Sequence, residues 1–350
     1  MAFVIIRTGS KDRKVRLRDL AAELKLSAST VSRALSGGPG INAETRASVQ
    51  RAAAAMGYSA KRRKAKRSGG NTRMIGLVVS DLHNRLMMML LECIHDALLE
   101  SGYHVTLIID SMNSMTDATP LSMFRPLIDD YLDGLILGST TLDTVVVQEL
   151  QELGVPLVLV ARSVDSTNVD IVEADNMRGG AEAARHLYEL GHRRIGLAMG
   201  PANTSTSRDR AQGALQYLKS VGLPQENIRV VYDAYTSEAG YSCTVQMLEE
   251  KEAVTAIMAG NDMIALGVLD AALRMGIEVP TRLSVVGFGD APFASSPLIG
   301  LTTVQLPAQE MARTAARRLL DRIKNGPLAP ATRDVFPIRL IKRNTTAKCP

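Results

Sequence analysis

From Met74 onward short apolar runs alternate with stretches of helical periodicity: MIGLVVS, HVTLII, GLIL, PLVLVA, VDIVEAD, RIGLAM, IRVVY, AIMAG and LSVVGF. Each run is about a strand long, and between them lie segments such as Leu86 to Ser101 and Met177 to Leu190 whose apolar residues recur with a helical period. Parallel strands cannot be joined by tight turns, so this alternation predicts βαβ units and parallel sheets covered by helices. Nine strands over this length divide more naturally into two sheets than one.

Upstream the chain changes character. Residues 1–73 carry 17 Lys and Arg against 4 Asp and Glu, a net of +13; the remainder carries 24 against 32, a net of −8. A small basic head on an acidic body predicts a polyanion partner for the head, with a merely solvated basic tail as the alternative. The head reads as three short helices. Leu17, Leu20, Ala21 and Leu24 share one face; Ser27 offers an N-cap for a second helix carrying Val31, Ala34 and Leu35; a third follows Asn42, carries Val49, Ala52, Ala53 and Met56, and stops at Gly57. The first two helices, so closely spaced, form a helix-turn-helix, whose second helix enters the major groove. Among its outward residues Ala28, Ser29, Ser32 and Arg33, only Arg33 has the fork for a bidentate contact to guanine; a phosphate contact is its alternative role.

No enzyme signature accompanies this pattern. No dinucleotide glycine fingerprint follows the first strand, and neither a phosphate-binding loop nor a nucleophile elbow occurs. The histidines are scattered, and His192 in ELGHRRIG reads as structural. Cys93, Cys243 and Cys349 match neither a disulfide framework nor a zinc site, so no metal or cofactor is expected and a cytoplasmic setting is. No long apolar run suggests a membrane span. A cleft between α/β lobes, at the carboxyl ends of strands, is the expected ligand site.

The segments LRDLAAELKLSASTVSRALSG, INAETR and MGY, then DGLIL, DNMRGGAEAARHLYELGHRRIGLAMGP, NDMIALGVLDAALRMGIEVP and LSVVGFGD, resemble the LacI/GalR family of bacterial transcription regulators across the whole chain. The resemblance implies a two-lobed body like the periplasmic sugar-binding proteins behind a three-helix head. The expected divisions are a head over 1–58, ordered from about 15, a basic hinge over 59–73, a body over 74–343 and a tail over 344–350. Lobe 1 would take about 74–162 and 292–325, and lobe 2 about 163–291 and 326–343. It further implies base reading by Ala28, Ser29 and Arg33, and backbone contacts by Ser27, Thr30, Ser32, Ser36, Asn42 and Tyr58. Two departures stand out in the head: Lys25 replaces the turn glycine, and Arg16 the N-cap threonine before the first helix.

The family's hinge inserts a leucine into the minor groove, and Arg67 holds that position here. Arg62, Arg63, Lys64, Lys66 and Arg67 are then expected to touch DNA by charge, or to form a flexible linker that adds nonspecific affinity. By the same resemblance the effector cleft takes Ser80, Asp81, Arg85, Leu86, Arg162, Arg210, Tyr235, Asn261 and Asp290. Alternatives remain for three of them: a helix cap for Asn261, lobe packing for Tyr235, and a cross-lobe pair for Arg162. Sugar-binding members carry acids where this chain has Ala161 and Gly289, while arginines remain, which favours an anionic ligand. The expected molecule is a homodimeric, ligand-responsive regulator, most simply a repressor of carbohydrate genes. It would pair through the helix RLMMMLLECIHDALL and bind duplex DNA and a small effector. A solute-binding protein or an α/β enzyme is the alternative.

Overall fold

The computed structural model describes scattered positions between 21 and 52 and residues 72–79, 82, 85–109, 127–128, 130–142, 145–165, 168–249, 252–326 and 330–349, with backbone alone at Arg85 and Leu86. These fall into two compact units, one within 6–72 and 123–132 and one carrying the body. In the head, Ala21, Val31, Ala34 and Val49 are buried together, with Leu24, Leu26 and Ala52 packed on them. The Ser27 hydroxyl accepts the Thr30 N–H at 3.1 Å, the N-cap expected of it. Of the DNA-facing candidates, Ala28, Ser29, Ser32, Arg33, Ser36, Asn42, Tyr58 and the basic residues 61–67 lie outside the described residues.

The body contains twelve strands and seven helices among the described residues. The strands are β1 (Met74–Val79), β2 (His104–Ile109), β3 (Gly134–Leu137), β4 (Leu157–Val160), β5 (Asp170–Ala174), β6 (Ile195–Met199), β7 (Ile228–Tyr232), β8 (Ala256–Ala259), β9 (Ser284–Gly289), β10 (Thr302–Gln305), β11 (Arg333–Phe336) and β12 (Arg339–Ile341). The helices are α1 (Arg85–Glu100), α2 (Val145–Glu152), α3 (Asn176–Glu189), α4 (Ser205–Ser220), α5 (Ser237–Leu248), α6 (Asp262–Arg274) and α7 (Ala308–Asn325). One sheet has the order β11-β5-β4-β3-β1-β2 and the other β12-β10-β9-β8-β6-β7. All pairings are parallel except that of β12 with β10. The two lobes are two copies of the same winding. In each, the order reverses beside the first strand, β1 or β6, and a crevice opens there at the strands' carboxyl ends.

The nine expected strands all form, because buried parallel strands read as unbroken apolar runs. The lobe boundaries are corrected. Strand β5 pairs with β4 in the first sheet, with Val158 opposite Asp170, so the chain first crosses at Ala174–Asn176 and not near Arg162. Strand β10 belongs to the second sheet, beside β9, and α7 returns to the first, so the next crossing lies between Gln305 and Ala308 and not near Ala291. The last falls between Phe336 and Arg339, not near Asn325. Among the described residues no helix separates β4 from β5 to announce that they share a sheet, and β10, β11 and β12 are too short to carry a periodic signal.

Caps fix where the helices begin and so what the strand ends present. Asp175, Thr204, Thr236 and Asn261 each accept a backbone N–H from the first turn of α3, α4, α5 and α6. Such a cap is worth about 1 kcal/mol. The core of the first lobe joins Ile75, Leu77 and Val79 to Leu90, Ile94 and Leu98 of α1 and Leu319 of α7. In the second lobe, Ala198, Ile257 and Ala259 pack under α5 and α6 through Met247 and Val268. Each fully buried leucine or isoleucine contributes roughly 1.5–3 kcal/mol.

Candidate functional site: the cleft between the lobes

The cleft is lined from both lobes by strand ends and the loops after them. Met87, Ala161 and Arg162 come from the first lobe; Thr206, Arg210, Tyr235, Asn261, Asp262, Met263, Phe288, Gly289 and Ala291 come from the second. Four sequence candidates, Arg162, Arg210, Tyr235 and Asn261, therefore meet in one place. Ser80 and Asp81 lie outside the described residues, as do the side chains of Arg85 and Leu86.

Arg210 is the centre of the site. It is 4 % exposed, its Nε donates to Asn176 Oδ1 at 2.8 Å and its Nη1 to the Gly260 carbonyl at 2.5 Å. Its guanidinium lies 3.8 Å from the centroid of the buried Phe288 ring. No carboxylate forms an ion pair with it among the described residues. Burial pulls its pKa down from the ordinary value, with Tyr235 and Asp262 opposing. A buried cation held by neutral dipoles is an incomplete electrostatic arrangement, and an anion arriving beside it would complete it.

Tyr235 places its hydroxyl 2.7 Å from Ser207 Oγ and 2.8 Å from Thr206 Oγ1, both on the first turn of α4. Burial alone would push this phenol up, but Arg210 and Arg162, with those two hydrogen bonds, carry it below its ordinary pKa. Its ring packs against Gly200, where a Cβ would come within 2.2 Å of it, so glycine just after β6 is what admits the ring. Arg162 is 6 % exposed, donates to the Thr140 carbonyl at 3.2 Å and sits 6.0 Å from the Tyr235 ring centroid. It is delivered by Ala161, whose φ of 64° is left-handed and costs a non-glycine residue roughly 1–2 kcal/mol. Strain of this kind persists where the surroundings over-determine the backbone, as at ligand clamps.

Asn261 lines the cleft and also caps α6, its Oδ1 accepting the Ile264 N–H at 2.8 Å. Asp290 is a correction. Its φ of 57° turns the carboxylate out of the cleft, where Arg343 Nη2 donates to it at 2.7 Å and Gln305 Nε2 at 2.8 Å. Sequence reasoning instead missed its counterpart, Asp262. This carboxylate is 3 % exposed and accepts the Ala291 N–H and the Thr303 hydroxyl, each at 2.6 Å. Burial pushes its pKa up, against those donors. It binds the start of α6 to the chain after β9 and to β10. An acid directly after an N-cap reads as ordinary first-turn dipole complementarity, so nothing in the sequence distinguished it.

His192 is fully buried, with Nδ1 2.9 Å from Thr255 Oγ1 and Nε2 3.0 Å from Ser284 Oγ, a structural network remote from the cleft lining. Among the described residues no group of His, Cys, Asp and Glu could hold a metal ion, and no helix is long and apolar enough to cross a membrane.

A family model described as a periplasmic binding protein-like domain matches residues 184–346. The HTH-type transcriptional regulator MalR of Streptomyces coelicolor is 34% identical over 344 residues, covering 96% of this chain and 97% of that one. Among solved structures, a LacI family transcriptional regulator from Enterococcus faecium with bound ribose is 26% identical. It covers 79% of this chain and 100% of its own, with a TM-score of 0.69. The lac repressor dimer bound to operator and the anti-inducer ONPF is 25% identical over 96% of this chain and 100% of that one, with a TM-score of 0.70. The likeness runs through head and body alike, and at more than a third of positions identical to the Streptomyces regulator the chain belongs to the LacI/GalR family of helix-turn-helix transcriptional regulators.

Proposed function

We propose that this regulator is a cytoplasmic homodimeric repressor of carbohydrate-metabolism genes whose operator affinity is set by a small anionic sugar derivative bound between the lobes. The observation that carries the effector's charge is Arg210, buried with no carboxylate partner among the described residues, and facing a cleft that also takes Arg162. Among the described residues the one carboxylate lining the cleft, Asp262, is already committed to Ala291 and Thr303. Guanidinium groups match carboxylate and phosphate oxygens bidentately, so a sugar acid or sugar phosphate suits this site better than a neutral sugar. The ribose-bound relative supports a sugar-like ligand, and the operator-bound lac repressor dimer supports DNA binding as a dimer.

The ligand binds one arrangement of the lobes better than the other and shifts the population toward it. That changes the spacing of the two hinges, and with it the fit of two heads on a near-palindromic operator. In the head, Arg33 reads a guanine and the basic run 61–67 follows phosphates. The test is a fluorescence-anisotropy titration of the full chain on DNA selected from a randomised library, with sugar acids, sugar phosphates and neutral sugars added in turn. Anionic sugars should shift the operator affinity and neutral ones should not. A neutral sugar with the larger effect would overturn the charge assignment. Arg33→Ala should cost roughly 1–3 kcal/mol and relax one position of each half-site, whereas Lys64→Ala should weaken all sequences alike.

A further inference from the structure

Three side-chain polar atoms among the described residues are buried without a hydrogen-bond partner, and two of them, Thr140 Oγ1 and Ser163 Oγ, flank Arg162. Thr140 gives its carbonyl to Arg162 Nη1 but leaves its hydroxyl unused. Ser163 follows Arg162 directly, is 1 % exposed, and donates its backbone N–H to Ser205 Oγ at 2.8 Å while its own hydroxyl pairs with nothing. Leaving a buried hydroxyl unsatisfied destabilises the fold, and two in one place call for an explanation. The strained Ala161 sets this stretch of chain in place.

The same stretch forms a seam between the lobes. Besides the Ser163–Ser205 bond, the Leu142 N–H donates to the Asn203 carbonyl at 2.8 Å, and Arg208 Nη1 pairs with Asp165 Oδ2 at 2.6 Å. The Asp165 side chain is 65 % exposed, so this pair holds the seam only weakly. Ser163, one of the two residues with an idle hydroxyl, is itself part of the seam through its backbone N–H.

We propose that Arg162, Thr140 and Ser163 form an oxyanion subsite, separate from Arg210, that takes the phosphoryl group of a sugar phosphate. It rests on the anionic-effector reading above and narrows it. A guanidinium with a hydroxyl on each side of it offers donors for all three terminal oxygens of a phosphomonoester, one more than a carboxylate presents. A ligand reaches these buried hydroxyls only if the chain around them moves, so occupying the subsite is coupled to separation of the lobes at the seam that Ser163 joins.

The experiment is a thermal-shift and calorimetric titration of the full chain with hexose and pentose monophosphates, the matching sugar acids and the parent sugars. Wild type is compared with Thr140→Val, Ser163→Ala and the double variant. Each single variant should leave the ligand-free melting temperature unchanged or raised, since it removes an idle buried hydroxyl. Each should weaken sugar-phosphate binding about tenfold or more, the value of a hydrogen bond to a charged group, while changing sugar-acid binding far less. A fall in ligand-free stability would show that the hydroxyls serve the fold and would overturn the proposal. Sugar-phosphate binding that survives in the double variant would overturn the subsite and leave the anionic effector standing. If no anionic sugar binds wild type, both readings fall together.

Discussion

Replacing Arg322 with methionine removes one half of the most deeply buried ion pair among the described residues. Arg322 Nε and Nη2 donate to Asp170 Oδ2 at 2.9 and 2.7 Å, and the two side chains are 7 and 4 % exposed. On its other oxygen Asp170 accepts the Thr332 N–H at 2.8 Å and the Thr332 hydroxyl at 3.0 Å, so the pair ties β5 to the end of α7 and to the residue before β11. Stranding one member of a buried pair costs about 3–5 kcal/mol. The surviving Thr332 bonds place Arg322→Met at the lower end, about 3 kcal/mol, or roughly 6–12 °C in melting temperature for a body of this size. Arg318→Met is the control. Its bidentate bonds to Asp334, at 2.7 and 2.8 Å, are as short, but those side chains are 28 and 24 % exposed, so it should cost about 1 kcal/mol or less. Asp170→Asn in the Arg322→Met background should recover part of the loss, because a neutral amide oxygen can still accept from Thr332. Urea denaturation followed by circular dichroism gives all three values. Equal costs for Arg322→Met and Arg318→Met would refute the reasoning from burial.

Three further outcomes follow from the same geometry. Asp262→Asn should cost roughly 1–3 kcal/mol in urea denaturation, since both carboxylate oxygens accept and an amide must turn its NH2 toward Ala291 N–H or Thr303; an unchanged midpoint contradicts that. His186 has its pKa lowered to about 4, by burial first and then by Lys342 and His192, against Glu189. The unfolded chain then binds more protons between about pH 6.5 and 4, so stability falls as pH drops through that window, by at most about 3 kcal/mol. His186→Gln should flatten the fall, and an unaltered pH profile would show that His186 does not cause it. Gly180→Ala would set a Cβ 2.0 Å from the Arg210 carbonyl, forcing α3 and α4 apart. It should cost about 1–3 kcal/mol and weaken effector binding, both read by calorimetry; full effector affinity would show that Arg210 tolerates the shift.

The residues that were legible in the sequence are those whose signal is local. Long apolar runs announced nine strands, and Ser27 announced its own cap because an N-cap needs only the next three residues. What was not legible depends on distant partners. VDIVEA reads as a strand whichever sheet it joins, and only its pairing with β4 places it in the first lobe. Asp290 and Asp262 exchanged roles because a left-handed backbone turns one toward Arg343 while a helix start buries the other. Arg210 was recognisable by resemblance, but the lack of a carboxylate partner among the described residues is a fact of packing. Thr140 and Ser163 carried no signal at all, since an unsatisfied hydroxyl exists only once the neighbours are in place.

The central claim is that occupancy of the Arg210 cleft sets operator affinity. Its most direct measurement is the ratio of operator dissociation constants with and without saturating anionic sugar, for wild type and for Arg210→Met, on the same selected DNA. Coupling between sites is typically worth 1–3 kcal/mol, so the wild-type ratio should differ from one by about five- to 150-fold. In Arg210→Met the ratio should collapse to one. A ratio near one in wild type for every anionic sugar tried, or one that survives undiminished in Arg210→Met, would contradict the account.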